Sequence, residues 1–261
     1  MEKGKNLHRS LQRALDIMEL IASCSEGLTL SNISQKLGIP KSSALSLLNT
    51  LVERKYLIFD SATNRYKMGI KMFEVGSGYL RESEFMDAIM AVVAKVARKS
   101  NETVHLAVRD GRDVIYIAKI ESNHPIRIAS SIGKRIPAHA TALGKALLSG
   151  LSDKELRELY SQQPPERLTA NTICEVEKLI EEIRKVRENG YALDYEESSE
   201  GVRCFGAPIF NHNEQIIAAI SIAVPTIRVN EENEGYFIEL IKEAAQEISD
   251  ILKIYQKQSL I

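Results

Sequence analysis

Two short apolar-periodic segments split by a Gly-Ile-Pro corner, residues 28–57 (LTLSNISQKLGIPKSSALSLLNTLVERKYL), constrain this chain more than any other feature. Ile33 and Leu37 stand four apart, Gly38 stops the first segment, and Leu45, Leu48 and Leu51 recur every three residues in the second, which predicts two helices. A tight corner between short helices packs them crosswise and leaves the outer face of the second free, the arrangement that enters a DNA groove. That face begins Lys41, Ser42, Ser43 and continues through Ser46 and Asn49. Lysine and serine at a helix start suit phosphates alongside the open backbone N–H groups, while Ser46 and Asn49 suit base edges. The same pattern also fits two amphipathic helices with a solvated polar face.

The flanking residues favour the first reading. Residues 56–60 and 65–68 are β-prone runs joined by Ser61-Ala62-Thr63-Asn64, a polar turn, so a hairpin follows the second helix and the unit reads as a winged helix-turn-helix. Arg65 and Lys67 alternate along its second strand, within reach of a DNA backbone. Upstream, Ser10 reads as an N-cap, and Leu11, Ala14, Leu15, Met18, Ile21 and Ala22 fall on one helical face. The charge agrees: residues 1–75 hold eleven Lys/Arg against seven Asp/Glu, and residues 76–261 hold twenty-three against twenty-eight. The whole-chain net charge of -1 conceals this division. The expected organisation is a DNA-binding domain over 1–75, a linker over 76–88 hinged at Gly76-Ser77-Gly78, and a larger domain over 89–261.

From Glu102 the pattern changes, after one more helical run. A helix is expected over 85–99, then strands over 102–108 and 114–121 joined by the Asp-Gly turn of 109–113, and a third strand over 126–130. Helices follow over 141–148, 152–160 and 175–189, the last stopped by Gly190. Strands over 191–195, 202–210 and 216–224 come next, the last two joined through Asn211-His212-Asn213, and an amphipathic helix over 230–256 closes the chain. About six strands without regular βαβ alternation indicate an α+β domain.

Catalytic constellations are not found. Gly144-Lys145 invites a phosphate-loop reading, but His139 stands where the first glycine belongs and Ala146 where Ser or Thr would bind magnesium. There is no GxSxG elbow and no HExxH, and the histidines are scattered. Cys24, Cys174 and Cys204 form no CxxC pair, so neither a disulfide framework nor a zinc ribbon is indicated. No metal and no cofactor are expected. With no apolar stretch near the roughly 20 residues of a membrane helix and no signal core over residues 1–10, the expected location is cytoplasmic. A small-molecule pocket is a better use of the larger domain: residues 138–144 are a run of small side chains leading into a helix, and Asp194, Cys204 and Ser221 interrupt β-prone apolar stretches. Each also fits a capping, turn or core role.

Three segments together carry a resemblance. PKSSALSLLNTL within the winged helix, IPAHATALGKALL, and GYALDYEESSEGVRCFGAPIFNHNEQIIAAISIAVP resemble the IclR family of bacterial transcriptional regulators in order and spacing, from about Ser10 to Ile251. The EGVRC-to-AAISI block is the most specific. The resemblance implies a C-terminal effector domain of GAF-like fold, dimers or dimers of dimers on palindromic promoter DNA, and effectors that are small carboxylates, aromatic acids or sugar-acid breakdown products. Carried over by position, it implies that Ala142, Leu143, Asp194, Cys204 and Ser221 line the effector pocket. Four positions depart from the family pattern: Ala223 replaces a frequent serine, Ser46 and Asn49 stand where many members have arginine, and Pro40 replaces a common capping serine. The expected function is a ligand-responsive regulator, a repressor of a catabolic operon; the alternatives are an architectural or interaction protein that binds DNA without an effector, and a small-molecule enzyme.

Overall fold

Contacts divide the chain, described by a computed structural model over residues 8–78, 84–125, 128 and 130–254, into two units, Met1–Glu82 and Ser83–Ile261. The first holds α1 (Arg9–Ala22), α2 (Leu30–Leu37), α3 (Lys41–Glu53), a hairpin of β1 (Leu57–Asp60) and β2 (Arg65–Met68), and α4 (Ile70–Ser77). Thr29 opens α2 with a capping box, its hydroxyl accepting the Asn32 N–H at 3.2 Å. Gly38 ends the helix at φ 63°, a left-handed conformation that glycine adopts without Cβ strain. The corner is then locked locally: the Ser34 hydroxyl donates to the Ile39 carbonyl at 2.7 Å, and the Ile39 N–H donates to the Ser34 carbonyl at 3.1 Å. Leu28 pairs with Tyr66, which joins the chain before α2 to the wing. Ile17, Ile21, Ile33, Ala44, Leu48 and Leu57 fill the core of this unit.

Two stripe assignments differ from expectation. The sequence of α1 offers two overlapping apolar stripes, and the core accepts one: Ile17 and Ile21 are buried, whereas Leu11 is 59 % and Leu15 45 % exposed. In α3 the inward set is Ala44, Leu48 and Leu51, the spacing that 3.6 residues per turn dictates, and Leu45 is 40 % exposed beside the polar face. Ser10 is not the cap of α1; the helix begins at Arg9, and Ser10 lies within its first turn. The expected Gly76 hinge lies inside α4, while 79–83 of the expected linker fall outside the described residues.

The second unit begins with α5 (Glu84–Ser100) and contains β3 (Thr103–Asp110), β4 (Asp113–Ile120), β5 (Arg135–Pro137), α6 (Ala142–Leu148), α7 (Asp153–Tyr160), α8 (Val176–Asn189), β6 (Ala192–Tyr195), β7 (Val202–Phe210), β8 (Ile216–Pro225) and α9 (Glu231–Ile254). The strands form one six-stranded antiparallel sheet in the order β5-β4-β3-β8-β7-β6. The α+β architecture is as expected. The β3–β4 turn is shorter than expected, because Asp110 pairs with Asp113 and only Gly111-Arg112 remain in the loop. The expected third strand over 126–130 is not one: Ile128 and Ser130 are non-strand, Ile126, Arg127 and Ala129 lie outside the described residues, and the sheet edge is β5 instead. Three residues ending in proline are too short to signal by alternation, and an edge tolerates proline's missing donor. Tyr255 and Gln256 of the expected last helix also lie outside the described residues.

Alternation gives the sheet two unlike faces. Ile220, Ile222 and Val224 of β8, Phe205, Ala207 and Ile209 of β7 and Val104, Leu106 and Val108 of β3 join α5 and α9 in one apolar core. The residues between them are small or polar: Ala219, Ser221 and Ala223 on β8, Cys204 and Gly206 on β7, His105 and Ala107 on β3. This second face meets α6, α7 and α8. Gly206 is required there, since a Cβ would lie 2.9 Å from the Ala142 carbonyl carbon. Small side chains thus bring α6 onto the strands and leave space beside it.

Candidate functional site

In the first unit, Lys41, Ser42, Ser46 and Asn49 are exposed and Ser43 is half-buried along α3. Pro40 precedes the helix and supplies no side-chain cap, so the N–H groups of the first turn keep their outward donors. Lys41 and the two serines flank those donors, a combination that suits phosphate. On the wing, Arg65 and Lys67 are half-buried rather than extended. The Arg65 guanidinium donates to the Gly27 carbonyl at 2.8 Å, and Lys67 Nζ lies 3.7 Å from the Asp60 carboxylate. Hydrogen bonds from the turn hold Asp60 below the usual carboxylate range, with Lys67 contributing least. Arg65 therefore anchors the wing's root as well as offering positive charge.

In the second unit, the space beside α6 is a cavity of about 220 Å³, and Ala142, Leu143, Asp194, Cys204 and Ser221 all line it. Register explains the convergence. Asp194 pairs with Cys204 across β6–β7, Cys204 with Ala223 and Gly206 with Ser221 across β7–β8, and Ser221 with His105 across β8–β3. Ala142 and Leu143 arrive from above, in the first turn of α6. Thr141 caps that turn by accepting the Gly144 N–H at 2.9 Å, and helical geometry leaves the Ala142 and Leu143 N–H groups with no partner in the helix. A groove of about 530 Å³ near Gly150 and Ile216 contains none of the expected residues.

Asp194 is nearly fully buried, and its carboxylate organises the loop after β6. Oδ1 accepts the Glu197 N–H at 2.7 Å, and Oδ2 accepts the Ser198 hydroxyl at 2.7 Å. Burial pushes the Asp194 carboxyl above its ordinary value, and these donors together with Lys145 pull it back. Burial, then the neighbouring Asp194 charge, pushes the Cys204 thiol up, so it is an inert polar lining atom and not a nucleophile. Lys145, which the failed phosphate-loop reading singled out, is 1 % exposed and bonds the Glu197 carboxylate, with Glu182 at 3.7 Å. One ion pair thus ties α6 to the Asp194 loop.

The sequence reading overlooked several cavity residues. His105, Tyr116, Ser130 and Ser198 also line the space, and Thr141 lines it from within the small-residue run over 138–144. His105 had been set aside as one of five scattered histidines; its signal was the β3 alternation, which places it on the same face as Ser221 once the strands are paired. His139 is buried outside the cavity and shares a 2.8 Å hydrogen bond with the Glu166 carbonyl. Ala223 lines the wall where the resemblance would place a hydroxyl, so one donor is absent there and more room is left.

A winged-helix reader of DNA joined in one chain to a sheet domain with a small polar cavity defines a ligand-responsive transcriptional regulator. Comparison with known proteins is specific. Residues 77–250 match the family described as bacterial transcriptional regulator IclR C-terminal, and residues 10–61 match the IclR helix-turn-helix domain. The chain belongs to the IclR family of bacterial transcriptional regulators. It is similar to the HTH-type transcriptional regulator XynR of Escherichia coli K12, 34% identical over 244 residues, 94% of this chain and 97% of that protein. Among solved structures it resembles the IclR protein of Thermotoga maritima, with 32% identity, a TM-score of 0.77, and 94% and 98% of the two chains covered. It also shares its fold with an IclR homolog complexed with 4-hydroxybenzoate from Microbacterium hydrocarbonoxydans, with 21% identity, a TM-score of 0.80, and 93% and 98% covered.

Proposed function

We propose that this chain is a cytoplasmic repressor of a catabolic operon, a homodimer or tetramer that leaves promoter DNA when a small carboxylate or sugar acid fills the cavity of its second unit. The observation that carries this reading is the meeting of Ala142, Leu143, Asp194, Cys204 and Ser221 around one space of about 220 Å³. The open N–H groups of Ala142 and Leu143 are donors for a carboxylate. Asp194 does not oppose such an anion fully, because its own oxygens are held by loop donors and Lys145 stands behind it. The 4-hydroxybenzoate of the Microbacterium homolog is a small acid of this kind, which supports the same class of ligand here.

On this reading residues 1–75 bind DNA through Lys41, Ser42, Ser43, Ser46, Asn49, Arg65 and Lys67, and residues 89–261 bind effector and assemble the oligomer. A dimer presents two α3 helices to successive major grooves, roughly 34 Å apart. Effector occupancy changes that spacing, and a coupling of about 1–3 kcal/mol suffices for a five- to 150-fold change in affinity. Repression is the simplest sign, since release of DNA requires no further protein surface. The test is binding of the purified protein to the DNA upstream of its own gene, against scrambled DNA of equal length, at two salt concentrations, with and without a pool of keto, hydroxy and sugar acids. Selective binding relieved by the pool supports the proposal; binding indifferent to both sequence and pool overturns it.

A further inference from the structure

Besides Ala142, Leu143 and Asp194, the cavity is lined by residues of β3, β4 and the segment before β5, among them His105, Tyr116 and Ser130. His105 is 2 % exposed, pairs in register with Ser221, and shares a 2.7 Å hydrogen bond between Nε2 and the Ser130 hydroxyl. Its ring stacks on Tyr116, centroids 4.4 Å apart and planes 19° from parallel. Lys119, bonded to the Ser130 carbonyl at 2.7 Å, holds the segment that carries that hydroxyl. All of His105, Tyr116, Ser130 and Ser221 line the cavity. A histidine oriented by a stack on one side and a hydroxyl on the other is positioned more firmly than core filling requires, and it lies among cavity-lining hydroxyls.

Resting on the effector reading above, we infer that His105, with Ser130 and Ser221, is a specificity element that reads a neutral hydroxyl or oxo group on the effector. Burial, with Lys119 and then Lys134 adding to it, holds the His105 imidazole down to about 3, so it is uncharged at neutral pH and is no counter-ion for an acid. The groups facing it are Tyr116, whose phenol burial keeps protonated, the Ser130 and Ser221 hydroxyls, and the Lys119 and Lys134 ammoniums. A neutral imidazole among hydroxyls hydrogen-bonds an alcohol or a carbonyl. A site built to do so discriminates strongly against an analogue lacking that group, because its own polar atoms are then left buried and unpaired. The space of about 220 Å³ has room for an acid longer than two or three carbons.

The experiment uses the full-length protein and matched pairs of acids: lactate and propionate, gluconate and hexanoate, 4-hydroxybenzoate and benzoate. Binding is measured by calorimetry and by thermal shift, for wild type, His105→Phe and His105→Asn. The phenyl ring keeps the stack on Tyr116 and removes the nitrogens; the amide keeps a polar group. In wild type, the hydroxylated member of at least one longer pair should bind at least roughly tenfold tighter than its plain partner, the worth of about one hydrogen bond. His105→Phe should erase that preference, so that both members of the pair bind alike, and His105→Asn should restore part of it. Equal binding of both members to wild type, or an undiminished preference in a folded His105→Phe, overturns the inference and leaves the effector reading standing. If His105→Phe fails to fold by circular dichroism, Ser221→Ala is read in its place with the same criterion. Failure of every acid to bind overturns both.

Discussion

Lys145 gives the sharpest test of how the cavity is held. It is 1 % exposed, its ammonium bonds the Glu197 carboxylate, whose side chain is 7 % exposed, and the more solvated Glu182 lies 3.7 Å away. Replacing it by methionine keeps the stem volume and leaves the Glu197 carboxylate buried without its cation. Breaking one side of such a pair costs about 3–5 kcal/mol. In a unit of this size that is a fall of roughly 6–20 °C in the midpoint of its transition by scanning calorimetry. The pH dependence fixes the mechanism. Burial raises the Glu197 carboxyl above its ordinary value and Lys145 opposes the rise, so removing the cation lifts it further. A carboxyl raised in the folded state holds more protons folded than unfolded, and its stability is lost as pH rises through the folded pKa. The deficit of Lys145→Met should therefore be largest at neutral pH and narrow as the pH falls toward the usual glutamate range. Adding Glu197→Gln should recover most of it, since the orphaned charge goes too. A Lys145→Met deficit below about 1 kcal/mol, or one unchanged between neutral and acid pH, refutes the reasoning.

Other substitutions probe the remaining contacts. Lys41→Ala should weaken DNA binding on every sequence and reduce the slope of log affinity against log salt by about one, as loss of one phosphate contact does; an unchanged slope moves Lys41 off the backbone. Ser221→Ala should cut effector affinity roughly three- to tenfold while effector-free DNA binding stays the same, and equal loss of both functions points to misfolding. Gly206→Ala places a Cβ 2.9 Å from Ala142, which should displace α6 from the sheet, destabilise the unit by about 1–3 kcal/mol and blunt the effector response; a full response refutes the close approach as the determinant of the cavity.

Local signals carried much of this structure, and they failed where the determinant was not local. The helix-turn-helix was legible because Gly38 and the apolar spacing act over a few residues, and the long strands β7 and β8 because their β-prone runs extend over nine and ten residues. The edge strand β5 was not, since three residues carry no period. Leu11 and Leu15 were misassigned because which of two stripes turns inward depends on the partners of α1 and not on α1 itself. His105 shows the same limit at the cavity. Alternation along β3 sets only which face it takes, and its pairing with Ser221 is what brings it to the wall. The bond from the Arg65 guanidinium to the Gly27 carbonyl, thirty-eight residues earlier in the chain, likewise has no local signal.

The central claim is that one cavity and one DNA-reading helix are energetically coupled, and linkage tests it most directly. Effector affinity is measured by calorimetry on the protein alone and on the protein saturated with its upstream DNA. Coupling requires that DNA weaken effector binding by the same factor by which effector weakens DNA binding, five- to 150-fold for about 1–3 kcal/mol. Matching factors in that range are the predicted result. An effector that binds with one affinity whether or not DNA is present would contradict the claim, whatever its contacts in the cavity.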